Sequence, residues 1–395
     1  MRRRAVRLLP SGTPGRLLAL AALAAVIALY LVLAARRNHF FDLRVYYGAV
    51  THWVHGGELY DYRKPVTPYG FTYPPFAALT MLPMTLIPLG AAQVVSVLLA
   101  VGTTGVTLWW LLAPTIRRHG WPPWFALAVA GLLVAALEPV RETVTFGQVN
   151  TVLLCLVVGD LLLLVARGSR WGGIGIGLAT AIKLTPGIFI GYLLVTRRWR
   201  AAATAVATAA GATVLAAAVA PDATREYWFS ALPNTDRVGS LAFISNQSLR
   251  GMIARLGQAE WGDLLWPVTV LLVLGVWVWR VGRHREVTTG LALTGVVGGL
   301  VSPVTWIHHL VWLLPALLLL VDRACAAPAG SRHRRRLLVA TAVLYVLACS
   351  GIVWIWELNS SGVLGFLGGN LYVWLALALV IGLPVSPPVA GRERG

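Results

Sequence analysis

Residues 17–35 read "LLALAALAAVIALYLVLAA", a run of nineteen residues without a charge, an amide or a proline. As a helix rising 1.5 Å per residue it would be roughly 28 Å long, close to the thickness of a bilayer's hydrocarbon core. Comparable apolar blocks follow at 90–113, 121–137, 148–166, 172–182, 186–195, 201–219, 265–281, 287–301, 306–321, 337–357 and 371–388. The short pair 172–182 and 186–195 is joined by "KLTP" and reads as two half-spans or one broken helix. Residues 76–88 ("FAALTMLPMTLIP") are apolar but short and proline-bounded, which suits an interfacial or re-entrant piece. The expected fold is therefore all-α: a polytopic transmembrane helical bundle of about twelve spans, one integral membrane domain over 1–395.

The composition agrees. The chain is 57% hydrophobic and 12% charged, with mean hydropathy +0.73, and a soluble domain would carry about 25% charge. The opening "MRRRAVR" ahead of an apolar run resembles a signal peptide, but the run is long and ends in "ARR" where a cleavage site would have small residues. A retained first helix is expected. The net charge of +18 would fit nucleic acid, yet the arginines cluster in short loops between apolar blocks. With the N-terminus in the cytoplasm, the inside loops hold 22 of the 33 basic residues. That asymmetry predicts both termini inside, and it excludes a nucleic-acid partner as the reason for the charge. Cys155, Cys325 and Cys349 have neither metal-ligand nor disulfide-framework spacing.

Two long loops fall on the predicted extracytoplasmic side, 36–89 and 221–264, each expected to carry short interfacial helices. Loops of that length with their own structure are usually functional. The first contains "FFDLRVYYGAV", "GGELYDY" and "GFTYPPFAAL". Asp42 sits there in an aromatic and aliphatic run. Paired with Arg44 it would be an interfacial ion pair; half-desolvated, it would be a general base, since an apolar setting raises a carboxylate pKa and a nearby cation lowers it. Gln148 and Asn150 in "FGQVNT" open the fourth block, where amides either cap a helix or bind sugar hydroxyls. Asp160, deeper in that block, reads as structural. Lys183, one of two lysines in the chain, lies in an apolar block; an intramembrane lysine is a functional hypothesis by default, here as partner of a phosphate. "SNQSLRGMIARL" gathers Asn246, Gln247, Ser248 and Arg250, with Ser248 also a plausible helix N-cap. "SPVTWIHHLVWLLP" starts a span with His308 and His309. Adjacent helical residues point about 100° apart, which speaks against a metal pair. One histidine is expected to serve the site, with a lean to His309, three residues after Trp306 and near the "YPP" segment holding Tyr73. No dinucleotide fingerprint, phosphate-binding loop or nucleophile elbow is present.

Taken in order, "FDLRVYY", "LYDY", "FTYPPFAAL", "FGQVNTVLL", "AIKLTPGIF", "NQSLRGMIARL" and "SPVTWIHHLVWLLP" resemble the actinobacterial polyprenol-phosphate-mannose-dependent α-(1→2)-mannosyltransferases, glycosyltransferase family 87 of the multi-spanning GT-C superfamily. The matching stretches run from about residue 40 to 315; later blocks match only as apolar helices. The resemblance implies a polyprenyl phosphomannose donor, a mannoside or glycolipid acceptor, inversion, an aspartate base at Asp42, and basic or histidine groups (Lys183, His308 or His309, Arg250) at the donor phosphate. Arg44, Tyr73, Gln148, Asn150, Asn246, Gln247 and Trp306 would line the substrates. No cofactor and no metal is implied. The rivals are transfer of another sugar from the same carrier, a non-catalytic scaffold, and a transporter or flippase. A transporter gathers its polar groups near the bilayer midplane, whereas these map to one predicted outer face.

Overall fold

The computed structural model describes residues 12–34, 38–257, 259–284, 286–358 and 362–384. Among the described residues the regular elements are all helices; the nearest thing to a strand is a single bridge between Arg63 and Gly70. Five helices are long and apolar enough to cross a membrane: Gly12–Leu33, Leu89–His119, Trp199–Val219, Gly262–Arg283 and Ile307–Ala326. The number rises to seven if two bent pairs each count as one span. The expected count of about twelve is not reproduced by that measure, and the reason is local. Several apolar blocks form helices of only 10–17 residues, such as Asn150–Val165, Thr185–Val195 and Val287–Val301, too short to count by length alone.

Two of these breaks build the site. Helix Pro123–Ala136 bends by 75° into helix Glu138–Phe146, with Pro139 in the first turn of the second piece. The charge pattern predicts an outer loop there; in the fold it is a buried helix. The second break is "KLTP". Helix Ile174–Ile182 stops at Lys183, which is extended (φ −151°, ψ 129°), and a 3-10 turn at Thr185–Gly187 restarts the chain into Ile188–Val195. The expected interruption at "KLTP" is present, with a short helix on either side of it.

The main core runs through the bundle, with Leu154, Leu161, Leu291, Val297 and Leu314 all nearly inaccessible. A second, smaller core belongs to the two long loops together: Val45, Tyr46, Tyr60, Phe71 and Tyr73 from the first, Tyr227 and Ala231 from the second. Its rings meet at 5.8 Å (Tyr60–Tyr227) and 6.1 Å (Tyr46–Phe71). Each such pair contributes about 0.5–1.5 kcal/mol beyond its area, enough to hold the loop helices in one layer. That layer contains Phe41–Val54, Pro75–Met81 and Pro221–Glu226.

Candidate active site

Asp42 lies in the first turn of helix Phe41–Val54. The turn is set by two residues in the left-handed region, His39 and Phe40, and tied down where Phe40 N–H donates to Thr145 O at 2.9 Å. Gln148 reaches Asp42 because of the residue before it. Gly147 caps helix Glu138–Phe146 at φ 71°. A side chain there would be strained and would also bring a Cβ to 2.6 Å from that of Leu43. The glycine therefore lets two helices meet at the distance the amide spans.

The resulting network is short. Gln148 Nε2 donates to Asp42 Oδ2 at 2.7 Å, and Tyr73 Oη donates to Gln148 Oε1 at 2.8 Å. Tyr46 Oη donates to Tyr73 Oη at 3.1 Å. His308 Nε2 stands 3.9 Å from the same Asp42 oxygen and 3.5 Å from Gln148 Nε2. Lys183 Nζ donates to Asn150 Oδ1 at 3.0 Å and sits 5.1 Å from the centre of the Tyr73 ring. Asn150 in turn donates to the His308 carbonyl at 2.8 Å, as does Thr143 Oγ1 at 2.9 Å. The backbone of the histidine pair is thus clamped to the elements that carry Gln148 and Lys183.

Asp42 keeps a 20% exposed side chain on an otherwise buried wall. Burial raises its carboxyl from the ordinary range to about 6; the Gln148 hydrogen bond and the Lys183 charge pull the other way. At neutral pH it is an anion with more than usual affinity for a proton, which is what a general base requires.

Asp42, Tyr73, Gln148, Lys183, Trp306, His308 and His309 line one cavity of about 590 Å³. Both histidines reach it. The expectation that only one would do so is not met: the two rings lie 4.6 Å apart at 84°, and the cavity is wide enough to take both. His308 is the one beside Asp42. His309 Nδ1 accepts the Trp306 backbone N–H at 3.2 Å.

Other expected residues lie elsewhere. Arg44 is exposed, lines a separate cavity and gives its Nε to the His39 carbonyl at 2.9 Å. Arg250 bonds Asp263 at 2.8 Å and stacks on Trp266. Asn246, Gln247 and Ser248 are buried behind the wall: Asn246 accepts Thr305 N–H at 2.9 Å, Gln247 bonds the Gly369 carbonyl at 2.8 Å, and Ser248 caps Leu249–Ala254. Asp160 accepts the backbone N–H groups of Gly173 and Ile176 and holds the start of helix Ile174–Ile182. Conversely, Arg237, Phe243, Trp354 and Glu357 line the cavity and are missed by the sequence reading. The aromatic density of "IVWIWEL" is the available signal, but tryptophans at the end of an apolar block read first as interface anchors.

The description glycosyltransferase family 87 matches residues 71–303. A Mycobacterium tuberculosis protein named polyprenol-phosphate-mannose-dependent alpha-(1-2)-phosphatidylinositol mannoside mannosyltransferase is 34% identical, over 87% of this chain and 85% of its own. Its namesake in Mycolicibacterium smegmatis is 32% identical over 93% and 88%. An alpha-(1->3)-arabinofuranosyltransferase of Corynebacterium glutamicum is 27% identical over 65% and 62%. No solved structure matches. With more than half its length inside the family's bounds, and relatives of this identity along most of the rest, the chain belongs to glycosyltransferase family 87.

Proposed function

We propose that this membrane glycosyltransferase is an inverting mannosyltransferase that takes mannose from a polyprenyl phosphomannose and forms an α-(1→2) linkage to a mannoside or glycolipid. The observation that carries it is a carboxylate and a lysine facing one cavity, the first held by Gln148 and the second by Asn150. The names of the relatives support this choice of sugar, carrier and linkage.

In the transfer the acceptor's 2-hydroxyl oxygen attacks the anomeric carbon of mannose from the face opposite the phosphate. Its O–H proton passes to Asp42. The bond from the anomeric carbon to the phosphate oxygen breaks, and polyprenyl phosphate leaves with the electron pair. Lys183 and the histidines meet the charge that develops on that oxygen, where a charge-assisted hydrogen bond strengthens as the bond breaks. Gln148 fixes the orientation of Asp42. Tyr73 and Trp306 shape the wall between donor and acceptor. The charge distribution of the sequence supports an active site on the extracytoplasmic face, with both termini inside.

The test is purified protein supplied with synthetic polyprenyl phosphomannose and a panel of mannosides, the linkage and anomeric configuration of the product being read by NMR. A cysteine placed beside Asp42, probed with an impermeant thiol reagent in intact cells, reads the face. The likeness to an arabinofuranosyltransferase supports one second reading, a pentose on the same carrier. Competition between polyprenyl phosphomannose and a polyprenyl phosphopentose decides between them.

A further inference from the structure

Part of the cavity wall is built differently. Phe243 stands between two tryptophans, 6.0 Å from the Trp306 ring at 67° and 6.1 Å from the Trp354 ring at 61°. All three line the cavity. They come from three segments distant in sequence, so the band exists only in the folded chain. Trp354 belongs to the 3-10 turn Ile352–Trp356, which follows the left-handed Gly351.

One of these rings is held by an unusual partner. Trp354 Nε1 donates to Glu138 Oε1 at 2.6 Å. Glu138 is fully buried, and its other oxygen accepts the Tyr372 hydroxyl at 2.5 Å. A buried carboxylate is costly unless hydrogen-bonded, and these two bonds tie it to the indole and to the Tyr372 hydroxyl. The carboxylate therefore fixes the plane of Trp354 from behind. Ser302, Asn234 and Glu357 line the same cavity.

Flat aromatic faces flanked by hydroxyl, amide and carboxylate groups suit one ligand chemistry. A pyranose presents C–H groups on one face, which pack on the electron-rich face of an indole, and hydroxyls at its rim, which take polar partners. A polyprenyl chain has no hydroxyls, and a phosphate is better met by Lys183 and the histidines. We propose that this band is the acceptor subsite, holding the sugar ring that carries the accepting hydroxyl, and that Glu138 is a positioning residue which sets the Trp354 plane for it.

This rests on the transferase reading above, and its test is chosen to fail separately. Binding of octyl α-D-mannoside to the full-length protein is measured without donor, by quenching of tryptophan fluorescence and by calorimetry. Trp354→Ala is expected to weaken binding at least tenfold, and Trp354→Phe, which keeps a ring, by less. Glu138→Gln retains an acceptor for the indole N–H and is expected to stay near wild type, whereas Glu138→Leu should approach Trp354→Ala. In turnover, the same variants should raise the acceptor KM and leave the donor KM within about twofold, a split that general misfolding does not give. Undiminished mannoside binding in Trp354→Ala overturns the proposal. So does an equal rise in both KM values. A wild-type protein that binds octyl mannoside through Trp354 but uses no polyprenyl phosphosugar would leave the subsite standing and overturn the transferase reading instead.

Discussion

Two polar clusters of this protein look alike in sequence and differ in the fold. Asp42, Gln148, Lys183 and His308 come from four separate segments and face a cavity. Asn246, Gln247 and Ser248 are consecutive, denser in hydrogen-bonding groups, and fully buried. In the second cluster the side-chain bonds go to backbone of the same chain or to one another: Asn246 to Thr305 and Pro303, Gln247 to Ile244, Gly369 and Tyr372, Ser248 to Asn246. In the first, Asp42 is bound by the amide of Gln148 and Lys183 by that of Asn150, and both charged groups keep access to the cavity. Local polarity does not separate a site from a clamp. What separates them is whether the hydrogen-bonding capacity is spent on the fold.

The sharpest way to break this comparison is at Asp42. Asp42→Asn keeps the size and the neighbours but cannot take the acceptor's proton. General base catalysis is worth about 10²–10⁴-fold, so kcat should fall by at least that range while donor binding and thermal stability stay close to wild type. Turnover near wild type would remove Asp42 from the chemistry. Lys183→Met should follow, with a smaller loss. A hydrogen bond to a charged group contributes about 1.5–3 kcal/mol, so donor use should fall roughly ten- to hundredfold while the acceptor KM moves little. If both donor KM and kcat are unchanged, the lysine belongs with the clamps.

Gln247→Leu inverts the expectation. It would strip partners from the Ile244 and Gly369 carbonyls and the Tyr372 N–H, each buried group left unsatisfied costing about 1–3 kcal/mol. The loss should appear as a lower melting temperature, with kcat/KM per folded molecule within a few-fold of wild type. A large drop in kcat/KM at unchanged stability would mean that the clamp is part of the site.

The apolar blocks are enough to read an all-helical membrane protein, because length and lack of charge are local properties of the chain. The number of spans is not legible, since Pro139 and the "KLTP" break turn apolar length into short bent pieces whose direction only packing decides. Asp42, Tyr73, Gln148, Lys183, Trp306 and both histidines can be picked out one by one as polar or aromatic groups in costly places, and they do line one cavity. Arg44 and Arg250 cannot be excluded in advance, because the sequence does not show that His39 and Asp263 occupy their guanidinium groups. Trp354 cannot be included, because nothing local ties residue 354 to Glu138.

The finest test concerns the amide that joins base to wall. In the proposed mechanism Asp42 acts as the anion, so kcat/KM should fall as pH drops through its pKa near 6. The donor is a phosphodiester and adds no ionisation there. The Gln148 hydrogen bond and the Lys183 charge both lower that pKa against the effect of burial. Gln148→Leu removes the first, so the acid limb should move to higher pH; Lys183→Met removes the second and should move it the same way. Above the limb the Gln148→Leu variant should recover most of its rate, apart from the loss due to a less well oriented carboxylate. Besides Lys183 and the Tyr46 and Tyr73 hydroxyls, His308 faces Asp42 at 3.9 Å, so the limb is compared in a His308→Gln background, where it should persist and still respond to Gln148→Leu. A limb that stays fixed when Gln148 is replaced, or disappears with His308, would assign the ionisation to the histidine and leave Asp42 an ordinary anion in the wall.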